Sequence, residues 1–277
     1  MNRLAVIGQP IGHSLSPRMH GAALAALGMD REWSYEAIEL GPADLAGGVA
    51  RLVADGYVGA NVTIPHKAAA LALADRPTTA ASAIGAANTL SFDRDGISAD
   101  NTDAPGLLAA LPEGVAGKRA LVLGAGGAAR AAVWALAREG AEVSIRNRSR
   151  ERGAALAAEL DAEALDPAAA VPLERFDLLV NATSVGLATP DAPARPPGSD
   201  LKALGIGVDG LSDRLVVVDL VYGAAPTELA AAARRAGATV VDGLEVLVRQ
   251  GAESFRIWTG AEPPLEVMRA AVRSESP

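Results

Sequence analysis

One stretch constrains this chain more than any other. It runs from Arg119 to Arg148 and places a short apolar segment, Leu121 to Leu123, directly before Gly124, Gly126 and Gly127. An apolar run of that length bounded by glycine is what a buried parallel strand looks like. The glycines permit a tight turn and a close backbone approach. The alanine-rich run Ala128 to Ala137 has high helix propensity and stops at Gly140, after which Val143 to Ile145 supplies the next strand. The order strand, glycine turn, helix, strand predicts a right-handed βαβ unit. Its helix N-terminus offers unpaired backbone N–H groups and the positive end of a dipole to a pyrophosphate.

A glycine turn alone is compatible with an ordinary βα connection, and Ala129 stands where the third glycine of the fingerprint would be. The cofactor is decided about 20 residues on, where an acidic residue receives the ribose 2′-hydroxyl in NAD binders. This chain has Asn147-Arg148 there, flanked by Arg146, Arg150 and Arg152. A guanidinium cannot accept a hydrogen bond from a hydroxyl but pairs well with a phosphate dianion. The expectation is NADP(H).

Whole-chain properties narrow the remaining classes. At 277 residues the chain is long enough for one large domain or two ordinary ones. Cysteine is absent, which removes disulfides, thiol nucleophiles and thiolate metal sites. The histidines, His13, His20 and His66, have no metal-ligand spacing, so no metal is expected. A net charge of −8 argues against nucleic acid as a partner. The N-terminal apolar run is too short for a signal peptide and no run approaches membrane-spanning length. These features lead to the expectation of a cytoplasmic protein.

Along the chain, Leu4 to Ile7, Trp33 to Ile38 and Val58 to Thr63 read as strands. Ser16-Pro17 reads as a helix start with Ser at the N-cap. Leu45, Val49 and Leu52 share one helical face, and Ala68 to Ala74 is helical. Asn88 to Phe92 and Gly96 to Ala99 flank a hairpin turn. Asn101-Thr102-Asp103 caps a helix through Leu111. Beyond Arg148 a helix is expected near Arg150 to Leu160, with strands at 177–181, 215–220 and 239–241. Helix is also expected at 228–236 and from Leu244, and a loop over 189–199. The fold class is therefore α/β in two domains. A mixed-sheet α/β domain spans 1–103 and is completed by helices at 244–277; a Rossmann-like NADP-binding domain spans 104–243.

Several polar residues sit just past strand ends, where open α/β sheets bind ligands. Taken singly, Lys67 reads as a surface lysine, Asp103 as a helix cap, Ser14 and Ser16 as turn and cap residues, and His13 and His66 as orienting or structural residues. Together with their neighbours they form an ordered set of motifs. These are Gly8-Gln-Pro-Ile-Gly-His-Ser-Leu-Ser-Pro17, Asn61-Val-Thr-Ile-Pro-His-Lys67, Gly85-Ala-Ala-Asn-Thr89, Asp100-Asn-Thr-Asp103, Gly124-Ala-Gly-Gly-Ala-Ala-Arg130, Asn147-Arg-Ser149, Asn181-Ala-Thr-Ser-Val-Gly186, Asp219-Leu-Val-Tyr222 and Leu247-Val-Arg-Gln-Gly-Ala252. In this order and along essentially the whole chain they resemble the shikimate dehydrogenase family. Gly21, where the family usually has Asn, departs from the pattern outside the residues assigned to substrate.

The resemblance implies reversible reduction of 3-dehydroshikimate to shikimate by NADPH. It implies Lys67 and Asp103 as catalytic residues. Ser14 and Ser16 would donate to the substrate carboxylate with Tyr222 nearby, and Thr63, Asn88 and Gln250 would hold ring hydroxyls. Cofactor contacts would come from Gly124, Ala125, Gly126, Gly127, Ala128, Asn147, Arg148, Thr183 and Gly243. Two other readings stay open: a quinate/shikimate dehydrogenase using NAD, and a non-catalytic dinucleotide-responsive binding protein.

Overall fold

A computed structural model describes residues 1–187, 196–223 and 225–274. The chain divides into two compact units. One comprises Met1–Ala109 and the segment from Leu247 onward; the other comprises Ala110–Val246.

The first unit contains β1 (Asn2–Gly8), α1 (Ser16–Ala26), β2 (Trp33–Glu39), α2 (Leu45–Ala54), β3 (Tyr57–Val62), α3 (Lys67–Ala72), β4 (Arg76–Pro77), α4 (Thr79–Ile84), β5 (Thr89–Asp93), β6 (Gly96–Asp100) and α5 (Asp103–Ala110). Its sheet has the order β2-β1-β3-β5-β6-β4. The β1, β2 and β3 strands run parallel, whereas β5 is antiparallel to both β3 and β6. The sheet is therefore mixed: β5 runs against its neighbours, and the Asp93–Gly96 hairpin turns the chain back so that β6 and β4 share the direction of β3. Leu4 to Ile7 are buried, as a central parallel strand requires. Ile7, Leu45, Val49, Leu52, Val62 and Leu90 share one core.

The second unit contains β7 (Arg119–Leu123), α6 (Gly127–Arg138), β8 (Glu142–Arg146), α7 (Arg150–Glu159), β9 (Glu163–Ala164), β10 (Leu178–Asn181), α8 (Ser199–Leu204), β11 (Val216–Asp219), α9 (Glu228–Arg235) and β12 (Thr239–Asp242). All six strands are parallel in the order β12-β11-β10-β7-β8-β9. The β7 strand is followed in sequence by strands on one side of it and then by strands on the other. The order thus switches between β7 and β10, and the crevice outside the carboxyl ends there is where such sheets take a ligand. Leu121, Leu179, Val217, Leu229 and Ala233 fill its core. Helix α10 (Gly243–Thr259) follows β12 directly, and α11 (Leu265–Arg273) packs against α1.

Three expectations need correction. Ser16 is the first residue of α1 and not its cap; Leu15 holds the cap position without a side-chain bond. Asp103 likewise begins α5, and Asn101 Oδ1 takes the Ala104 N–H at 3.2 Å. The helix expected from Ala68 to Ala74 begins at Lys67 and ends at Ala72. Of the expected loop over 189–199, residues 189–195 lie outside the described residues.

Candidate active site

The first unit builds its site at the end of β3. The Thr63 N–H bonds Ile7 O and the His66 N–H bonds Thr63 O, which turns the chain into α3 with Lys67 as its first residue. The buried His66 ring places Nε2 2.7 Å from Leu40 O, so that nitrogen donates and the ring is a strut. Lys67 extends to Asp103, with Nζ 2.5 Å from Oδ2. The two side chains are only 14% and 16% exposed, which removes most of the solvent screening from the pair.

Because Asn101 caps α5, the Asp103 carboxylate is free for this contact. Its Oδ1 accepts from Asn88 Nδ2 at 3.0 Å. Asn88 Nδ2 also lies 3.1 Å from Gln250 Oε1, while Gln250 Nε2 donates to Leu247 O. Four of the expected residues, Lys67, Asp103, Asn88 and Gln250, therefore form one hydrogen-bonded set. The helix bearing Gln250 comes so close to α5 that a Cβ on Gly106 would lie 2.7 Å from the Gln250 Cβ.

The other substrate-side expectations stand differently. Ser14 Oγ accepts the Ser16 N–H at 3.3 Å; Ser14 is half-buried and Ser16 buried. Gly8 lies against the Thr63 methyl, so the loops after β1 and β3 run side by side at one end of the sheet. Among the described residues no hydrogen bond joins Ser14, Ser16 or Thr63 to the Lys67–Asp103 set. Tyr222 belongs to the second unit, three residues past β11, and burial raises its phenol above the ordinary value.

In the second unit the glycine loop suits a pyrophosphate. Gly124 has φ +114, and a Cβ there would sit 2.9 Å from Ala182 O, so glycine is required. Gly126 occupies the N-cap of α6 with no side chain to satisfy the first N–H groups of a twelve-residue helix. A Cβ at Gly126 would meet nothing within 4 Å, so the space in front of those N–H groups is open. That combination of unpaired donors and open space fits an anion. Ala125 and Ala128 add no bulk beside it.

At the end of β8, Asn147 Nδ2 bonds Ser149 O at 2.8 Å, and Ser149 Oγ caps α7 by accepting the Arg152 N–H. Arg148 is exposed and has no side-chain partner among the described residues. Arg146 does not join the basic group expected of it. Its guanidinium donates to Leu204 O and Pro167 O, each at 2.6 Å, and so ties the end of α8 to the loop after β9. Arg150 lies 4.0 Å from Asp166. Thr183 donates through its N–H and its hydroxyl to Asn181 Oδ1, and a Cβ on Gly124 would come 3.3 Å from its methyl. A Cβ on Gly243 would fall 2.7 Å from Leu220 O, which accounts for glycine at the start of α10.

Some residues around these sites escaped the sequence reading. Asp219 is buried and accepts from Asn181 Nδ2, the Val221 N–H and the Thr227 hydroxyl; burial nonetheless raises its carboxyl above the usual range. Asn61, Thr89, Thr102 and Ser254 are buried behind Asn88. The first three lie inside quoted motifs, but nothing in their spacing assigned them work. Among the described residues no cluster of three or more His, Cys, Asp or Glu could hold a metal ion, and no helix is long and apolar enough to cross a membrane.

A parallel sheet with an anion-ready glycine turn at its switch point, and a separate unit carrying a half-buried lysine–carboxylate pair beside an amide cluster, define a dinucleotide-dependent oxidoreductase. The comparisons narrow this. Residues 6–90 match the model of the shikimate dehydrogenase substrate binding domain, 108–188 that of shikimate/quinate 5-dehydrogenase, and 243–273 that of the shikimate 5′-dehydrogenase C-terminal domain. A shikimate dehydrogenase (NADP+) of Methanothrix thermoacetophila is 45% identical over 278 residues, covering 99% of this chain and 97% of that one. The crystal structure of the Thermus thermophilus enzyme in complex with NADP(H) and shikimate aligns with TM-score 0.84 at 41% identity, over 99% of both chains. A ligand-free 5-ketofructose reductase of Gluconobacter sp. strain CHM43 aligns with TM-score 0.83 at 31% identity, over 98% of this chain and 97% of that one. The chain belongs to the shikimate dehydrogenase family.

Proposed function

We propose that this chain catalyses the reversible, NADPH-dependent reduction of 3-dehydroshikimate to shikimate, a step of the shikimate pathway toward aromatic amino acids. The observation that carries the reading is the Lys67–Asp103 contact, 2.5 Å long and largely shielded from solvent. The first unit serves as the substrate domain and the second as the cofactor domain. The enzyme works in the cytoplasm as a monomer or homodimer.

The nicotinamide ring, when bound, supplies or receives the hydride. The chain does the rest. The α6 N-terminus at Gly126, Gly127 and Ala128 holds the pyrophosphate, with Gly124 and Ala125 shaping the turn. Arg148 and Asn147 receive the ribose phosphate, and Thr183 and Gly243 shape the loops that border the cofactor. Ser14 and Ser16 donate to the substrate carboxylate, assisted by Tyr222. Thr63, Asn88 and Gln250 hold the ring hydroxyls. A site made of neutral donors and acceptors selects one polyol because the wrong one leaves buried groups unpaired. As the carbonyl becomes an alkoxide, Lys67 stabilises the oxyanion and delivers a proton to it; Asp103 holds the ammonium in place. In oxidation the pair accepts that proton.

The test is a set of initial rates with shikimate and quinate, each with NADP+ and NAD+, and with 5-ketofructose and NADPH. Shikimate with NADP+ should give the highest kcat/KM. Preference for quinate with NAD+, or turnover of 5-ketofructose alone, would overturn the reading; no turnover of any substrate would favour a binding protein.

A further inference from the structure

We propose that the buried hydroxyls of Thr89, Thr102 and Ser254, together with the Asn61 amide, are positioning residues that fix Asn88 and, through it, the Asp103 carboxylate. The proposal rests on the reading of Lys67 and Asp103 as the acid–base pair.

The three hydroxyls form a closed triangle. Thr89 Oγ1 and Ser254 Oγ are 2.9 Å apart, Thr102 Oγ1 and Ser254 Oγ 3.1 Å, and Thr89 Oγ1 and Thr102 Oγ1 3.2 Å. Asn61 Nδ2 points into this triangle, 2.9 Å from Ser254 Oγ and 3.2 Å from Thr89 Oγ1. The Asn61 orientation is unambiguous, because its Nδ2 also reaches Asn88 O at 3.1 Å, and a carbonyl can only accept. Its Oδ1 takes the Tyr35 hydroxyl at 2.7 Å.

Asn88 is fixed by the same logic. The Thr102 backbone N–H can only donate, and it lies 2.7 Å from Asn88 Oδ1. The Thr89 and Thr102 hydroxyls stand 3.2 Å from that same oxygen. Asn88 Nδ2 is then the donor atom, and it stands 2.9 Å from Thr102 Oγ1, 3.0 Å from Asp103 Oδ1 and 3.1 Å from Gln250 Oε1. Asp103 thus has one fixed donor on each oxygen, Asn88 on Oδ1 and Lys67 on Oδ2. Every group in the triangle is buried, whereas Asp103 is partly open. The network therefore leads from the interior to the carboxylate that meets substrate.

The helix carrying Ser254 is held in register on both sides of it. Gln250, Ser254 and Trp258 fall at i, i+4 and i+8 on one face of α10. Trp258 Nε1 donates to Leu90 O at 3.0 Å, and Gly106 admits the backbone of Gln250. A slip of α10 would break the triangle and move Gln250 together. An apolar replacement of the triangle would fill the space equally well, since swapping polar groups for isosteric apolar ones is often nearly neutral for stability. What it would not do is supply the hydroxyls beside Asn88, whose Oδ1 would then be held by the Thr102 N–H without them.

The experiment compares the full-length wild type with Thr89→Val, Thr89→Ser, Ser254→Ala and, as a control, Lys67→Ala, by steady-state kinetics with shikimate and NADP+. Thr89→Val keeps the shape and removes the hydroxyl; Thr89→Ser keeps the hydroxyl. Misplacement on the ångström scale can cost about a hundredfold, so Thr89→Val and Ser254→Ala should lower kcat roughly ten- to a hundredfold. The KM for NADP+ should not move, and Thr89→Ser should return kcat close to wild type. Wild-type kcat in Thr89→Val and Ser254→Ala, with Lys67→Ala inactive, overturns the positioning role and leaves the acid–base pair standing. A Thr89→Ser as slow as Thr89→Val overturns it too, because packing alone would then be at work. Should Thr89→Val fail to fold, Ser254→Ala decides by the same criterion on kcat. Wild-type turnover in Lys67→Ala removes the acid–base pair and this proposal with it.

Discussion

His20 makes the fold sensitive to acid. The ring is fully buried in the first unit, and neither nitrogen has a hydrogen-bond partner among the described residues. It stacks on Tyr35 at 4.2 Å with the planes 6° apart, and Phe255 and Trp258 lie 6.1 and 6.0 Å away. Such surroundings cannot solvate an imidazolium, and burial pushes the ring from its ordinary 6.5 down to about 3. Each tenfold change in proton affinity is worth about 1.4 kcal/mol, so the native state opposes protonation of this ring by roughly 4–5 kcal/mol. The unfolded chain binds the proton near 6.5 and the folded chain near 3, so the unfolded state holds more protons between those values. Stability is therefore fully present above the unfolded value and is lost as pH falls through that window, by at most about 1.4 kcal/mol per pH unit. His20→Phe removes the titration and keeps a ring for the stack. In a Trp134→Phe background, Trp33 and Trp258 report urea unfolding of the first unit. The wild type should lose about 1.6 kcal/mol relative to the His20→Phe variant between roughly pH 6.5 and pH 5. Parallel stability curves for the two proteins would refute the argument, whatever the absolute cost of the substitution.

Lys67→Ala should lower kcat by about 10²–10⁴ while NADPH still binds by fluorescence titration. Adding Asp103→Asn should cost far less than the product of the single effects, and multiplicative losses would reject a coupled pair. Arg148→Ala should raise the KM for NADP+ about ten- to a hundredfold, the equivalent of roughly 1.5–3 kcal/mol for a charge-assisted phosphate contact, and leave that for NAD+ nearly unchanged. Equal effects on both cofactors would move phosphate recognition elsewhere. Ser16→Ala should raise the KM for shikimate about tenfold with an unchanged thermal midpoint, because Ser16 makes no cap bond; an unaltered KM would reduce the serine to a packing role.

The second unit was legible because its signals are local. Gly124 to Gly127 mark the turn, the run 128–137 marks the helix, and the parallel strands carry continuous apolar runs. The losses there are elements too short to show a period, such as the two-residue β9. In the first unit β4 is equally short, but α4 had readable ends: Thr78 caps it by accepting the Ala81 N–H, and Gly85 at φ +71 stops it. Its interior, Thr79 to Ile84, lacks a long apolar stripe, so the ends went unread. Arg146 shows the opposite limit. Its position next to Asn147-Arg148 suggested a phosphate ligand, yet two carbonyls from residues 21 and 58 positions away claim its guanidinium. Position along a strand does not say which loop will later lie over the side chain.

The candidate site divides along the same line. Lys67 and Asp103 are 36 residues apart, and only the resemblance suggested pairing them before the structure placed them in contact. Serine, threonine and asparagine give no such hint, because each is equally at home in a turn, a cap or a core. Asn88 to Gln250 spans 162 residues and Thr89 to Ser254 spans 165, so nothing near either end announces the partner. Asp103 illustrates the consequence in one residue. Its place before a helix suggested a cap; Asn101 does that work instead, and the carboxylate is thereby left to face Lys67 and Asn88. A local motif fixed where the helix starts, whereas long-range hydrogen bonding fixed what the acid is for. Substitutions at Thr89, Thr102 and Ser254 should accordingly be felt at Asp103 before they are felt in the stability of the sheet.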